Sequence, residues 1–288
     1  MKKALLVINP RSGKGKAPMI EKAAIGIAQE HGYELTVRLV TGHGHGTQFA
    51  QEAVSSGMDM VVSAGGDGTL NSIAAGLIGT KVALGIIPLG SGNGYARSLE
   101  LPLEPTEALH HAFTGTAMLM DVCYLNDHAF LGVAGIGFDA RVAHRFDKSK
   151  GRGMWGYAKI IIQEVIGAKP MQVTVHANGE RITEQVLMAV FCNTREFGNG
   201  AVISPGSRPD DGLAEIRLVR KPPFFSMLKA LWQIYTHRAD DSKFIRNLVT
   251  TEATVVQDGT LAHLDGEPLD VGNDVRFRLE PGRLWVVV

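Results

Sequence analysis

The sequence predicts an α/β protein. A doubly wound, mostly parallel sheet domain is expected over residues 1–122, and a mostly antiparallel β domain over residues 123–288. Three observations carry this. Apolar runs of strand length alternate with helical patterns over the first ~120 residues, the mark of a parallel sheet with helices on its faces. Two glycine-rich loops, Gly65-Gly66-Asp67-Gly68-Thr69 and Gly90-Ser91-Gly92-Asn93-Gly94, each follow directly on such a run. Beyond roughly residue 122 the alternation stops and β-rich segments succeed one another.

The elements follow in order. Strands are expected at residues 4–8, 35–40, 60–64 and 83–88, and helices at 17–29, 47–55, 70–77 and 105–113. In the second half, residues 172–176 and 185–191 flank Asn178-Gly179, a type I′ hairpin signal. Residues 214–219, 251–257, 275–279 and 284–288 continue the β pattern. Two helices, at 155–166 and 225–237, interrupt it. No internal repeat or low-complexity linker is evident.

Composition bounds the function. A chain of 288 residues suffices for one large or two ordinary domains, and 45% apolar residues provide a real core. The 29 basic and 29 acidic residues cancel, so nothing steers the whole molecule towards nucleic acid or anionic lipid. Nucleic acid is not an expected partner, and any lipid contact must be local. Cys123 and Cys192 match no metal spacing and suit a reducing compartment. The N-terminal apolar stretch, residues 4–8, is too short for a signal core and runs into a Pro turn, so it reads as a first buried strand. No apolar run approaches the roughly 20 residues of a spanning helix. A cytoplasmic protein is expected, peripheral at most to a membrane.

The chemistry gathers at strand ends. Sheets of this kind bind ligands outside the carboxyl ends of their strands. Asn9-Pro10-Arg11-Ser12-Gly13, Thr41 and both glycine loops fall there. Glycine loops present backbone N–H groups at close range with no side chain in the way, which suits a polyphosphate. An Asp that merely formed the turn would place negative charge inside that cradle. The charge is costly unless Mg²⁺ or a transferring proton compensates, so Asp67 reads as functional.

Other motifs read as structural. Gly13-Lys14-Gly15-Lys16 lacks Walker A spacing. Gly135-Ile136-Gly137-Phe138-Asp139-Ala140 imitates a dinucleotide fingerprint. It lies outside the alternating region, and no acid follows at the required offset of about 20 residues. His43 and His45 have no carboxylate or Cys nearby and read as a polar loop. Leu264-Asp265-Gly266-Glu267, taken alone, reads as a hairpin turn.

Together these segments resemble the diacylglycerol kinase catalytic family, which shares its first-domain fold with sphingosine kinases and NAD kinases. The resemblance runs along nearly the whole chain. Its pieces are Asn9-Pro10-x-Ser12-Gly13, Thr41, Gly65 to Asn71, Pro88 to Asn93 with Ala96-Arg97, Gly135 to Ala140, Asn193, Pro209-Asp210-Asp211-Gly212-Leu213 and Asp265-Gly266-Glu267. The resemblance implies an ATP- and Mg²⁺-dependent kinase acting on a lipid hydroxyl, of diacylglycerol or of a sphingoid base.

The implied ATP-binding residues are Asn9, Pro10, Arg11, Ser12, Gly13, Thr41, Gly65, Gly66, Asp67, Gly68, Thr69, Leu70, Asn71, Ser72, Gly90, Ser91, Gly92 and Asn93. Asp265 falls on the family's general base, with Glu267 beside it. Asp67 is a rival base, because the sphingosine kinases give that role to the Asp of this loop. Arg208, Asp211 and Leu213 fall where some bacterial members hold a structural Mg²⁺, largely through backbone oxygens. Asp121 resembles a member of the acidic network near the metal.

One departure stands out. Bacterial diacylglycerol kinases carry an Asp where this chain has Gly94. Losing one such carboxylate is expected to weaken metal binding by ~10–100-fold if nothing compensates. Sphingosine kinases lack it too, which favours a sphingoid base as substrate. An NAD kinase-like enzyme and a non-catalytic nucleotide-binding protein are the alternatives. The late Asp-Gly-Glu and Pro-x-Asp-Asp-Gly elements weigh against the former.

Phe224, Phe225, Met227, Leu228, Leu231, Trp232 and Tyr235 form an apolar helical stripe, with Lys229, His237 and Arg238 nearby. Trp155, Tyr157 and residues 160–162 could form another. Such stripes ordinarily face a core, and membrane docking is the other reading. Oligomeric state is left open.

Overall fold

The computed structural model describes residues 1–148 and 167–288. The helix expected over 155–166, with Trp155, Tyr157 and residues 160–162, lies outside the described residues. The chain divides into two units: Met1–Met120 with Gly282–Val288, and Asp121–Pro281.

The first unit runs β1 (Lys2–Ile8), α1 (Ala17–Glu30), β2 (Tyr33–Leu39), α2 (His45–Ser55), β3 (Met60–Gly65), α3 (Asp67–Leu77), β4 (Ala83–Pro88), α4 (Gly94–Ser98) and α5 (Pro105–Thr114). Its strands lie in the order β2-β1-β3-β4, all parallel. β3 is buried along its whole length, which explains why it reads as an unbroken apolar run. Leu6, Ile8, Val62 and Ile87 of the sheet pack with Ile20 and Ala24 of α1 and Leu109 and Phe113 of α5. The chain winds outward from β1 to β2 on one side and from β3 to β4 on the other. Strand order therefore reverses between β1 and β3, where a ligand crevice forms in such sheets.

The second unit is a sandwich. β5 (Ala117–Leu125) carries the chain into it and pairs with β6 (His128–Phe130). Then follow β7 (Val133–Gly137), α6 (Phe138–Lys148), β8 (Met171–Ala177), β9 (Glu180–Val186), β10 (Met188–Cys192), β11 (Ala214–Val219), α7 (Phe224–Tyr235), β12 (Ile245–Thr250), β13 (Glu252–Gln257), β14 (Leu261–Leu264), β15 (Glu267–Asp270) and β16 (Asp274–Val287). One antiparallel sheet has the order β12-β11-β10-β7-β14-β15. The other places β13 between β16 and β8, with β9 beyond. Ile136 and Ile216 of the first layer pack with Val175 and Val255 of the second. The rings of Phe191 and Phe277 stack across the core with centroids 5.3 Å apart.

Several expectations are corrected in detail. Residues 185–191 do not form one strand. β9 ends at Val186, paired with Met171, and β10 starts at Met188, paired with Val219 and Gly137. Leu187 marks the step between layers, and both flanks are apolar, so no polar residue announces it. Residues 275–279 and 284–288 join as β16. Its last residues return to the first unit, where Val286 pairs in parallel with Leu84 of β4. Asn178 and Gly179 do form the two-residue turn, with φ of 52° and 77°.

Cys123 and Cys192 are free thiols in the second core. Burial pushes both well above the ordinary cysteine range, with Asp121 adding to the shift at Cys123. Raised thiols stay protonated and unreactive. Neither is expected to react with a disulfide reagent in the native protein at pH 7–8, and both are expected to react after unfolding in denaturant. Fast native-state modification of either one would contradict this burial.

Candidate active site

At the carboxyl ends of β1, β3 and β4 three loops are tied together through their backbones. Asn9 N–H donates to Ala64 O (2.9 Å), Leu89 N–H to Gly65 O (2.7 Å) and Gly13 N–H to Leu89 O (3.1 Å). The Asn9 side chain fixes its own loop and the neighbouring one. Its Oδ1 accepts the Arg11 N–H (3.0 Å), and its Nδ2 donates to Thr69 Oγ1 (2.9 Å).

Gly66 caps α3 in an extended conformation, and Asp67, Gly68 and Thr69 open the helix. The N–H groups of a first helical turn have no partner within the helix and lie at its positive end. The two glycine loops touch. A Cβ on Gly90 would stand 2.7 Å from Gly66 Cα, and a Cβ on Gly65 would stand 2.5 Å from the Thr69 side chain. Asn93, at φ 52°, closes the second loop on itself. Its Oδ1 accepts the Gly90 N–H (2.8 Å) and its Nδ2 donates to Gly90 O (3.0 Å). A cavity of about 10 Å³ lies among Ser63, Gly65, Gly66, Asp67, Pro88 and Asn93. That is room for about one water, so a nucleotide would lie on the solvent face of the loops.

Not every implied ATP residue offers its side chain to that face. Leu70 is buried in the core. The Ser72 hydroxyl accepts the Thr47 N–H (3.2 Å), and Thr47 Oγ1 donates to Ser72 O (2.7 Å), joining α3 to α2. Arg11, Thr41 and Ser91 are exposed. Thr41 Oγ1 lies 3.3 Å from His45 Nδ1, a loop contact.

In the second unit Asp265 and Gly266, at φ 48° and 89°, form the two-residue turn between β14 and β15. The hairpin reading is therefore correct, and the same residue does more. Its carboxylate accepts N–H groups from Leu131 (2.8 Å), Gly132 (2.9 Å) and Val133 (2.8 Å). A Cβ on Gly132 would stand 2.7 Å from Asp265 Oδ1, so glycine is required beneath it. Three donors favour the carboxylate anion and fix its plane. Glu267 is exposed at the start of β15.

Residues with no assigned role complete this site. Asn193 is fully buried, and its Nδ2 donates to Leu131 O (2.7 Å) and Asp121 O (3.1 Å). The N–H groups of Asn193 and Thr194 both reach Gly132 O (2.9 and 3.1 Å). Asp121, Asn193 and the 131–133 backbone are thus one network beneath Asp265.

Gly135 to Ala140 is the junction of β7 and α6 in an antiparallel sheet, not a dinucleotide loop. A Cβ on Gly135 would fall 1.8 Å from Asp139 Oδ2. Asp139 Oδ2 in turn lies 3.3 Å from buried His263 Nε2, whose Nδ1 accepts the Gly266 N–H (3.3 Å). The motif's first glycine makes room for a pair that steadies the acidic turn.

The loop that carries Arg208, Asp211 and Leu213 is tied together by carboxylate–backbone bonds. Asp121 Oδ2 accepts the Gly212 N–H (2.7 Å), and Asp211 Oδ1 accepts the Leu213 N–H (2.9 Å). Arg208 makes a two-pronged pair with Asp210, at 3.1 Å on each side. That partner raises the guanidinium pKa further above its usual value. Among the described residues no cluster of three or more His, Cys, Asp or Glu could hold a metal. The loop is organised by its own carboxylate–backbone bonds.

A parallel sheet with touching glycine loops at its strand ends, followed by an antiparallel sandwich with an acidic turn, is the two-unit architecture of the chain. Residues 3–125 match the diacylglycerol kinase catalytic domain, and residues 132–288 match the YegS C-terminal NAD kinase beta sandwich-like domain. The chain belongs to the YegS-like lipid kinase family. A Chromohalobacter salexigens protein described as "Probable lipid kinase YegS-like" is 32% identical over 287 residues, covering 97% of this chain and 91% of its own. A Pseudomonas aeruginosa protein of the same description is 31% identical over 292 residues, covering 99% and 93%. A crystal structure titled as a diacylglycerol kinase from Bacillus anthracis superposes with a TM-score of 0.78 at 19% identity, covering 99% of this chain and 96% of its own. At that identity it shows the shared fold.

Proposed function

We propose that this member of the lipid kinase family transfers the γ-phosphoryl group of ATP, with Mg²⁺, to the hydroxyl of diacylglycerol or a sphingoid base. The observation that carries this is the contact between the two glycine loops at Gly66 and Gly90, next to the open N-terminus of α3. It supports a phosphate-binding face assembled from the ends of β1, β3 and β4. The likeness to proteins described as probable lipid kinases supports a lipid as acceptor.

In this reading Asn9 to Gly13, Gly65 to Asn71 and Gly90 to Asn93 position the triphosphate. Bound Mg²⁺ would neutralise charge developing on the β- and γ-phosphates, and Asp67 is the residue that would hold it. A single carboxylate suits Mg²⁺, which keeps several waters and leans on the phosphates themselves. Asp265 orients the lipid hydroxyl and takes its proton, with Glu267 beside it. Strong basicity is not required, because a loose transition state forms little bond to the nucleophile before the proton leaves. An anion whose plane is fixed by three backbone N–H bonds suits that task. Gly94 and the Gly-Ser-Gly-Asn loop favour the sphingoid base.

Incubation with labelled ATP and Mg²⁺ against diacylglycerol, sphingosine, sphinganine and NAD tests this. Label is expected on a lipid, and chelation of Mg²⁺ is expected to abolish it. Label on NAD alone would make the protein an NAD kinase. Nucleotide binding with no product would make it a sensor.

A further inference from the structure

We propose that α7 docks the protein onto an anionic membrane surface, lying in the interface through Leu228, Leu231, Trp232 and Tyr235. Of the expected apolar stripe, Leu228, Leu231, Trp232 and Tyr235 stand in solvent. These four residues are 78%, 47%, 52% and 51% exposed, and their spacing of i, i+3, i+4 and i+7 puts them on one face. The opposite face holds the helix to the second unit. Ile234 packs on a cluster containing Val133 and Val219, while Gln233 is 6% exposed. The helix thus buries a glutamine and offers tryptophan, tyrosine and two leucines to water, the reverse of an ordinary surface helix.

The charges around the face identify its occupant. From residue 221 to 238 there is no Asp or Glu. Residues 220–243 hold five Lys or Arg against Asp240 and Asp241, in a chain whose charges cancel overall. The Arg238 guanidinium lies 5.6 Å from the Trp232 ring centroid while pairing with Asp241 at 2.6 Å, so this basic group sits at the edge of the apolar face. A second copy of a neutral chain has no need of such a rim, whereas anionic headgroups do. Tryptophan and tyrosine suit the boundary between headgroup and acyl chain. A helix of 12 residues spans ~18 Å, short of the ~30 Å hydrocarbon core, so it lies in the plane of the interface.

The test is co-sedimentation of the full chain with vesicles, without ATP, so that its outcome is separate from the kinase reading. Vesicles of phosphatidylcholine containing phosphatidylglycerol are expected to bind the protein. Binding should weaken at least about tenfold on phosphatidylcholine alone or in 1 M salt. Leu228→Ser with Trp232→Ser is expected to weaken it by a similar factor with an unchanged circular dichroism spectrum. Lys229→Glu, an exposed single change, is expected to weaken it severalfold and serves if the double variant does not fold. No binding to any vesicle would overturn the proposal, and so would undiminished binding by Lys229→Glu. Loss of a wild-type dimer in the double variant, without vesicle binding by either protein, would assign the face to self-association instead.

Discussion

Asp265→Asn is expected to lower lipid phosphorylation by at least about a thousandfold, equivalent to about 4 kcal/mol of barrier, and to cost about 2–3 kcal/mol of stability. The double effect follows from the geometry. Gly132 and Val133 N–H both point at Oδ1, and Leu131 N–H points at Oδ2. An asparagine can keep the first two on its carbonyl oxygen. Its NH₂ group then faces the Leu131 N–H, leaving two donors opposed in a part-buried site. The anion that would accept the hydroxyl proton disappears in the same step. Loss of rate alone would therefore not separate proton acceptance from support of the turn. Glu267→Gln makes the separation. Glu267 is exposed, so the change should move stability by no more than about 0.5 kcal/mol. Initial rates at saturating ATP should be read beside urea midpoints for both variants and for Asp67→Asn. If Asp265→Asn kept the native rate, the base assignment would be wrong. If Glu267→Gln or Asp67→Asn abolished turnover without loss of stability, while folded Asp265→Asn still turned over, the role would move to that residue.

The first unit was legible because its physics is local. The buried strands β3 and β4 read as unbroken apolar runs ended by glycine or proline, and the edge strand β2 reads from its alternating pattern. Expected and observed bounds agree to within about three residues for β1 to β4. The glycine loops were legible for a related reason: each sits directly after a strand, so its position at the sheet edge follows from the chain itself. Their mutual contact was not, because nothing local says that Gly66 and Gly90 must touch.

The second unit hides its logic in long-range pairs. Asp265 reads as a turn former, and it is one. Its three donors lie more than 130 positions earlier in a segment with no polar signature. Asp121 and Gly212 are 91 residues apart. The first glycine of Gly-Ile-Gly-Phe-Asp-Ala looks like a phosphate residue, whereas it clears space for Asp139 and His263. At α7 the periodicity locates the helix, but a periodic stripe says only that one side is apolar. Whether that side meets a core or a solvent boundary depends on the rest of the fold, and here Gln233 and Ile234 face inward.

Gly90→Ala tests the phosphate face more sharply than any charge substitution, because it adds one methyl group and removes nothing. It is expected to lower kcat/KM for ATP at least about a hundredfold. The added Cβ would stand 2.7 Å from Gly66 Cα and at the same distance from Asn93 Oδ1, closer than real Cβ atoms come to their neighbours. Neither loop can step aside freely. Leu89 N–H is held by Gly65 O and Gly13 N–H by Leu89 O, so a shift at Gly90 is passed to the loops after β1 and β3 together. The Asn93 clamp on Gly90 N–H and O is strained at the same time. Displacements of several tenths of an ångström misdirect N–H groups whose value depends on aim. Ser91→Ala is the comparison within the same loop: it removes an exposed hydroxyl and leaves the contact between the loops unchanged. Calorimetric titration with ATP and initial-rate kinetics should show a larger loss for Gly90→Ala than for Ser91→Ala. Native ATP affinity and rate in a folded Gly90→Ala protein would mean that the triphosphate does not sit across these loops. The proposed ATP site would then have to be sought elsewhere on the chain.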